Sequence, residues 1–213
     1  MFLIHGIKGL YAITPDCADT PDLLRRVRYA LAGGASVLQY RNKTADEALR
    51  LEQATVLREL THQFSVPLIV NDDVHLAAEI GADGIHLGAN DMALTSARAV
   101  LGPGKIIGAS CYNRLPLAQQ AVAAGADYVA FGAFFPSTVK PGAVSANIEL
   151  LRQARAGLAV PLVAIGGITL ENSTALLQAG ADALAVISAL FDAADIQAAA
   201  QDFSTLISRD FAS

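Results

Sequence analysis

The chain has 213 residues, 53% of them hydrophobic and 16% charged, with a formal net charge of −5. That length suits a single domain, residues 1–213, whose core can bury a sheet on both faces. The acidic balance gives no footprint for nucleic acid or an anionic membrane, no apolar run reaches membrane-spanning length, and two cysteines are too few for a disulfide framework. The opening MFLIHGIKGLYAIT has neither a long apolar core nor a small-residue cleavage site, so a cytoplasmic location is expected.

In chain order, a first strand is expected at Leu10–Ile13. A helix over Pro21–Ala32 follows, with Thr20 as its N-cap and Pro21 in the first helical position. Gly34-Ala35-Ser36 then introduces the apolar run Val37–Tyr40, and Thr44 precedes a helix over Ala45–Phe64. After Pro67 the β-branched run Leu68–Val70 reads as a buried strand, stopped by Asn71, Asp72 and Asp73. A short helix, Val74–Ile80, ends at Gly81, and Gly81-Ala82-Asp83 leads into the strand Gly84–Leu87. The same alternation continues with a helix at Ser96–Leu101, a strand at Ile106–Ala109 and a helix at Leu115–Ala124. Gly125-Ala126-Asp127 precedes the strand Tyr128–Phe131. A long non-helical connection, Phe134 to Ala146, separates it from the helix Ile148–Ala156; a connection of that length in a compact domain is usually functional. The strand Leu162–Ile165, the helix Leu170–Ala179, the turn Gly180-Ala181-Asp182, the strand Ala183–Ile187 and the helix Ala193–Ile207 complete the chain. The recurring Gly-Ala-Asp turns mark an internal repeat of βαβα units. Eight strands alternating with eight helices give an α/β class and a (β/α)8 TIM barrel, with a doubly wound open sheet as the alternative.

Parallel neighbouring strands bring their carboxyl ends to one edge, which places Asp72 and Asp91 across from each other where such folds build their sites. Two carboxylates there suit a hard, oxygen-liganded cation such as Mg2+; the same residues also read as a helix N-cap and a turn residue. Strand alternation puts Gln39, Arg41 and Lys43 on one face, with Leu38 and Tyr40 on the other. Cations at the inward end of a buried strand call for an anion, and Lys140 in the long connection is a third candidate. Three cations beside two carboxylates suit a metal-bound diphosphate. Gly166 and Gly167, after the seventh strand and before a helix, could present backbone N–H groups to a second phosphate with Ile187 and Ser188 beside them, or could simply turn a tight corner. Ser110 should face the mouth and Cys111 the opposite side. His86 reads as a hydrogen-bonded core residue rather than a base, and no G-x-S-x-G elbow is present.

Taken together, Gly9-Leu10-Tyr11, Gln39-x-Arg41-x-Lys43, Asn71-Asp72, Asp83-Gly84-Ile85-His86-Leu87-Gly88 with Asp91, Gly108-x-Ser110, Phe135-Pro136-Ser137 with Lys140, and Ile165-Gly166-Gly167-Ile168 resemble the thiamine phosphate synthase family. The resemblance covers nearly the whole chain. It implies a (β/α)8 barrel that joins hydroxymethylpyrimidine diphosphate to thiazole phosphate and releases pyrophosphate. By that resemblance Asp72 and Asp91 would hold Mg2+. Gln39, Tyr40, Arg41, Asn42, Lys43, Asn71, Ser110 and Lys140 would meet the pyrimidine diphosphate. Ser137, Thr138, Val139, Gly167, Ile187 and Ser188 would meet the thiazole phosphate. The catalytic burden would fall on Arg41, Lys43, Ser110 and Lys140. Val139 stands where the family usually has threonine, and Ala89 where glutamine is common. Thiazole tautomerase and a non-catalytic phosphate-binding barrel are the other readings; the retained Arg41, Lys43, Asp72, Asp91 and Lys140 argue against the first. Small molecules are the expected partners, and the sequence is compatible with a homo-oligomer.

Overall fold

The computed structural model describes residues 7–136 and 145–211. The described strands are β1 (Gly9–Ile13), β2 (Val37–Tyr40), β3 (Leu68–Asn71), β4 (Gly84–Leu87), β5 (Ile106–Tyr112), β6 (Tyr128–Phe131), β7 (Leu162–Ile165) and β8 (Ala183–Val186). They form a closed parallel barrel in sequence order. Closure is made by β8 against β1, with Gly9 opposite Ala183 and Tyr11 opposite Ala185. The open-sheet alternative is thereby removed.

The helices α1 (Thr20–Ala32), α2 (Glu47–Gln63), α3 (Val74–Glu79), α4 (Leu94–Leu101), α5 (Leu115–Ala123), α6 (Ile148–Gly157) and α7 (Leu170–Gln178) follow the first seven strands. After β8 come two, a one-turn α8 (Ser188–Phe191) and the long α9 (Ile196–Phe211). A four-residue helix is too short to show a 3.6-residue apolar period, so Ser188 opens a helix where a strand end was expected. Several helix starts also differ by one to three residues, and at two of them the cap differs too. Asp19, not Thr20, caps α1 by accepting the Asp22 N–H at 2.9 Å, and Asp46 caps α2 through Leu49 N–H at 2.9 Å. A carboxylate takes the capping role ahead of the neighbouring threonine in each case.

Strand alternation sorts the core into two compartments. Leu10, Leu38, Leu68, Val70, Ile85, Ile107 and Val129 face the helices in the larger one. Tyr11, Val37, Ile69, Tyr128, Ala130, Val163 and Ala183 fill the barrel axis in the smaller. The far end of the barrel is held by one device used three times. Asp83, Asp127 and Asp182, each the last residue of a Gly-Ala-Asp turn, accept a backbone N–H at the start of the preceding strand: Leu68 at 2.8 Å, Ile107 at 2.7 Å and Leu162 at 2.7 Å. Each also pairs with an arginine, Arg58, Arg98 and Arg155 respectively. The glycines that make these turns possible have φ of 65°, 92° and 103°, backbone that favours glycine. The repeat in the sequence therefore belongs to stability, which leaves the opposite edge free for chemistry.

Candidate active site

At the carboxyl ends of β3 and β4 the two acids meet. Asp72 sits in a left-handed conformation (φ 64°) with its N–H donated to the His86 carbonyl at 2.9 Å. Burial pushes its carboxyl above the usual carboxylate range, and the adjoining Asp91 carboxylate raises it further by hydrogen bonding and repulsion; Lys43 opposes both. The Lys43 ammonium lies 3.5 Å from Asp72 Oδ2. Asp91 accepts the Gly88 N–H at 2.6 Å, so it is a turn residue as well as a neighbour of Asp72. The cap of α3 is Asp73, through Leu76 N–H at 2.9 Å. Two acids crowded together and only partly neutralised by one lysine have the electrostatics of a cation site. Among the described residues no cluster of three or more His, Cys, Asp or Glu could hold a metal. A hard cation would therefore take its remaining oxygens from substrate or water, which is how Mg2+ usually binds beside phosphates.

The β2 end supplies the cations. Thr14, just past β1, exchanges hydrogen bonds with Arg41, its hydroxyl donating to the Arg41 carbonyl at 2.8 Å and accepting the Arg41 N–H at 2.8 Å. Asp16 accepts from Arg41 Nη1 at 3.2 Å and from the Lys43 N–H at 2.7 Å. Both cationic residues thus hang from one carboxylate of the β1–α1 loop. Asp16 was missed in the sequence; its place just beyond a barrel strand was the available signal.

Two further expected ligands have their side chains engaged within the protein. Tyr40 is 2% exposed, faces the helix layer, and donates its hydroxyl to Gln53 Oε1 at 3.0 Å. Asn42 is 6% exposed, with its amide on Cys17 and Gln53 and its oxygen holding Thr44 and Ala45. Both side chains are used up in building the β2–α2 loop. Both still line a cavity of about 360 Å³, together with Lys43, Arg50, Asn71 and Asp72 among others.

Further round the barrel, Gln39, His86 and Ser110 point to the axis, and Asn71 lies opposite His86 in register. His86 is hydrogen-bonded through both ring nitrogens, Nδ1 with Tyr128 at 2.9 Å and Nε2 with Ser110 at 2.8 Å. Burial lowers its pKa to about 4, slightly offset by Asp91. Cys111 faces the helices, with its thiol pushed up to about 12 by burial. After β7, Gly166 and Gly167 have φ of 102° and 61°. The Phe135 N–H donates to the Gly166 carbonyl at 3.0 Å, and a Cβ on Gly167 would collide with Pro136. The start of the β6–α6 connection is thus laid directly on the glycine turn. Ile165 pairs with Ala185, which brings this turn beside Ile187 and Ser188. Ser137, Thr138, Val139 and Lys140 lie outside the described residues.

The thiamine monophosphate synthase family model matches residues 10–190. The chain belongs to the thiamine monophosphate synthase family. It is 57% identical over 200 residues to the thiamine-phosphate synthase of Methylobacillus flagellatus, covering 94% of this chain and 95% of that one. It is 52% identical over 202 residues to that of Thiobacillus denitrificans, covering 95% and 96%. A solved thiamine phosphate pyrophosphorylase from Pyrococcus furiosus superposes with a TM-score of 0.83 at 35% identity, covering 95% of this chain and 96% of that one. As a thiamine monophosphate synthase family member the chain is an enzyme, a transferase of thiamine biosynthesis. Among the described residues no helix is long and apolar enough to cross a membrane.

Proposed function

We propose that this chain, as one domain over residues 1–213 in the cytoplasm, condenses hydroxymethylpyrimidine diphosphate with thiazole phosphate at the edge bounded by β2, β3, β4 and β5. The observation that carries the reading is the Asp72–Asp91 pair with Lys43 at 3.5 Å. Asp72 and Asp91 would hold Mg2+, which when bound would neutralise diphosphate charge and make the group easier to expel. In the reaction the C–O bond between the pyrimidine methylene and the diphosphate breaks, and its electron pair leaves with the diphosphate. The thiazole nitrogen then donates its lone pair to the methylene carbon, giving thiamine phosphate and pyrophosphate. Arg41 and Lys43 oppose the charge that grows on the leaving oxygen, with Lys140 as the third cation. Ser110 donates a hydrogen bond to the same group, and Gln39 and Asn71 orient the pyrimidine diphosphate. Gly167, Ile187, Ser188 and residues 137–139 receive the thiazole phosphate; a glycine turn beside a short helix after the eighth strand suits a phosphate. No proton has to be removed from carbon, so a neutral His86 with both nitrogens engaged is no handicap. Positioning and preorganised charge supply the rate.

Incubating the purified protein with both substrates, with and without Mg2+, and measuring released pyrophosphate tests this reading. Release that needs both substrates and Mg2+ is expected. Release with neither cation nor thiazole phosphate required would overturn it.

A further inference from the structure

Five side chains cross the barrel interior in one unbroken hydrogen-bonded chain. Gln39 Nε2 donates to the Tyr11 hydroxyl at 2.9 Å. The Tyr11 and Tyr128 hydroxyls are 2.8 Å apart, Tyr128 is 2.9 Å from His86 Nδ1, and His86 Nε2 is 2.8 Å from Ser110 Oγ. Four of the five are almost completely buried: Tyr128 at 0%, Tyr11 at 1%, Gln39 at 4% and His86 at 8%. The strands involved are β2, β1, β6, β4 and β5, so the chain runs from one side of the mouth to the other. Room for it is made by Gly108, where any Cβ would fall inside the Tyr128 ring.

Each hydroxyl in this chain has one hydrogen to give. Gln39 uses an amide hydrogen on Tyr11, so the Tyr11 hydrogen must go on to Tyr128; otherwise it would be buried without an acceptor. Tyr128 in turn donates to His86 Nδ1. A ring nitrogen that accepts carries no proton, so the ring is neutral with its hydrogen on Nε2. That hydrogen goes to Ser110 Oγ, and Ser110 keeps its own hydrogen for whatever lies in the mouth.

We propose that this chain has one proton order, from Gln39 to Ser110, and that it holds Ser110 as a hydrogen donor toward the anionic end of the substrate. Tyr11, Tyr128 and His86 are positioning residues in this arrangement: they touch no reacting atom and act through Ser110. Reversal would turn every member together, and Ser110 would spend its hydrogen on His86 and present only lone pairs to an oxyanion. The role given to Ser110 rests on the reading of this edge as the diphosphate site; the proton order itself does not.

The test begins with the full chain, free of substrate, carrying 15N-labelled histidine. The His86 tautomer is read from its two ring nitrogen shifts, and the Nε2–H form is expected. Gln39→Glu replaces the donor by a group that, once ionised, only accepts. Above the pH at which the new carboxyl ionises, read from its own 13C shift, His86 should switch to the Nδ1–H form. Tyr128→Phe keeps the ring and cuts the chain. Adding Gln39→Glu to Tyr128→Phe should therefore leave the tautomer as it is in Tyr128→Phe alone. Either an Nδ1–H ring in the unsubstituted protein or a switch that survives Tyr128→Phe overturns the proposal. For Ser110, Tyr128→Phe should lower kcat about tenfold, as expected for one weakened bond to a charged group, with KM for thiazole phosphate unchanged. An unchanged kcat would remove the role assigned to Ser110. If the protein releases no pyrophosphate but His86 still switches, the functional reading fails and the proton order stands.

Discussion

Asp73 caps α3 through the Leu76 N–H at 2.9 Å, which frees the carboxylate of Asp72, one residue earlier, to meet Asp91. Two adjacent acids with two different tasks explain why the stretch carries Asn-Asp-Asp rather than a single capping residue. Asn replaces either site acid with the same shape and no charge, and asparagine tolerates the left-handed backbone of Asp72. Asp72→Asn and Asp91→Asn should each fold normally by circular dichroism and lose on the order of 100-fold or more in pyrophosphate release, the scale of removing a major charge stabiliser. Near-normal turnover at saturating Mg2+ in either variant would take that acid out of the cation site.

The raised pKa of Asp72 has a defined sign for stability. Its folded value lies above its unfolded one, so its contribution is fully present below the ordinary carboxylate range and is lost as pH rises through the raised value. The metal-free protein should therefore lose stability from this pair between acid and neutral pH. The effect should be about 1 kcal/mol or less, because the Asp72 side chain is 38% exposed and screened by solvent. Urea melts on either side of the carboxylate range, in the unsubstituted protein and in Asp72→Asn, isolate it: the difference between the two proteins should appear only at the higher pH. Mg2+ should raise the melting temperature of the former and not of the latter. Equal responses of the two proteins to pH and to Mg2+ would refute the account.

The eight strands and their inward faces were legible because a period of two is local. Gln39 and Ser110 face inward, and Cys111 outward, as alternation demands. The repeated Gly-Ala-Asp turns announced the barrel, although their capping role needed the structure to be seen. Contacts across the axis were not legible. Tyr11 and Tyr128 are 117 positions apart, and nothing in local spacing says that two hydroxyls on β1 and β6 meet. Tyr40 and Asn42 line the cavity beside Lys43, but what their side chains bond to was not legible either. Alternation alone was enough to turn Tyr40 away, and the sharp β2–α2 loop consumed the amide of Asn42.

Asp16 holds the Arg41 guanidinium and the Lys43 backbone, so it acts on the cations without being one. Asp16→Asn keeps an acceptor for the Lys43 N–H but weakens the hold on Arg41. The expected result is a rise of roughly three- to tenfold in KM for pyrimidine diphosphate, about 0.7–1.4 kcal/mol, with KM for thiazole phosphate unmoved. Steady-state kinetics with each substrate varied in turn would show it. A change confined to thiazole phosphate would place Arg41 on the wrong ligand.

The opposite end of the barrel should behave in the reverse manner. Asp127 accepts the Ile107 N–H at 2.7 Å and pairs with Arg98 at 2.6 Å, far from the mouth. Asp127→Ala leaves the Ile107 N–H near the start of β5 without its partner, a loss of about 1–3 kcal/mol in stability. Turnover measured well below the melting temperature should be unchanged. A variant that is stable but slow would mean that this end of the barrel takes part in catalysis.

Gly108 links the packing of the barrel to its chemistry. Its position faces the axis beside Tyr128, and a Cβ there would overlap the ring carbons and hydroxyl. Neither the ring nor the strands can yield freely, because Tyr128 is fully buried and held on both sides by hydrogen bonds. Gly108→Ala should cost about 1–3 kcal/mol by overpacking and should lower kcat by shifting Tyr128 away from His86. Gly104→Ala is the control, since nothing lies within 4 Å of a Cβ at that position; it should change neither quantity. Pairing Gly108→Ala with Tyr128→Leu makes room for the methyl group and removes the hydroxyl. The double variant should regain much of the stability lost by Gly108→Ala while kcat stays low. Recovery of both would mean that Tyr128 fills space and nothing more. Recovery of stability alone would separate its packing from its hydrogen bond to His86.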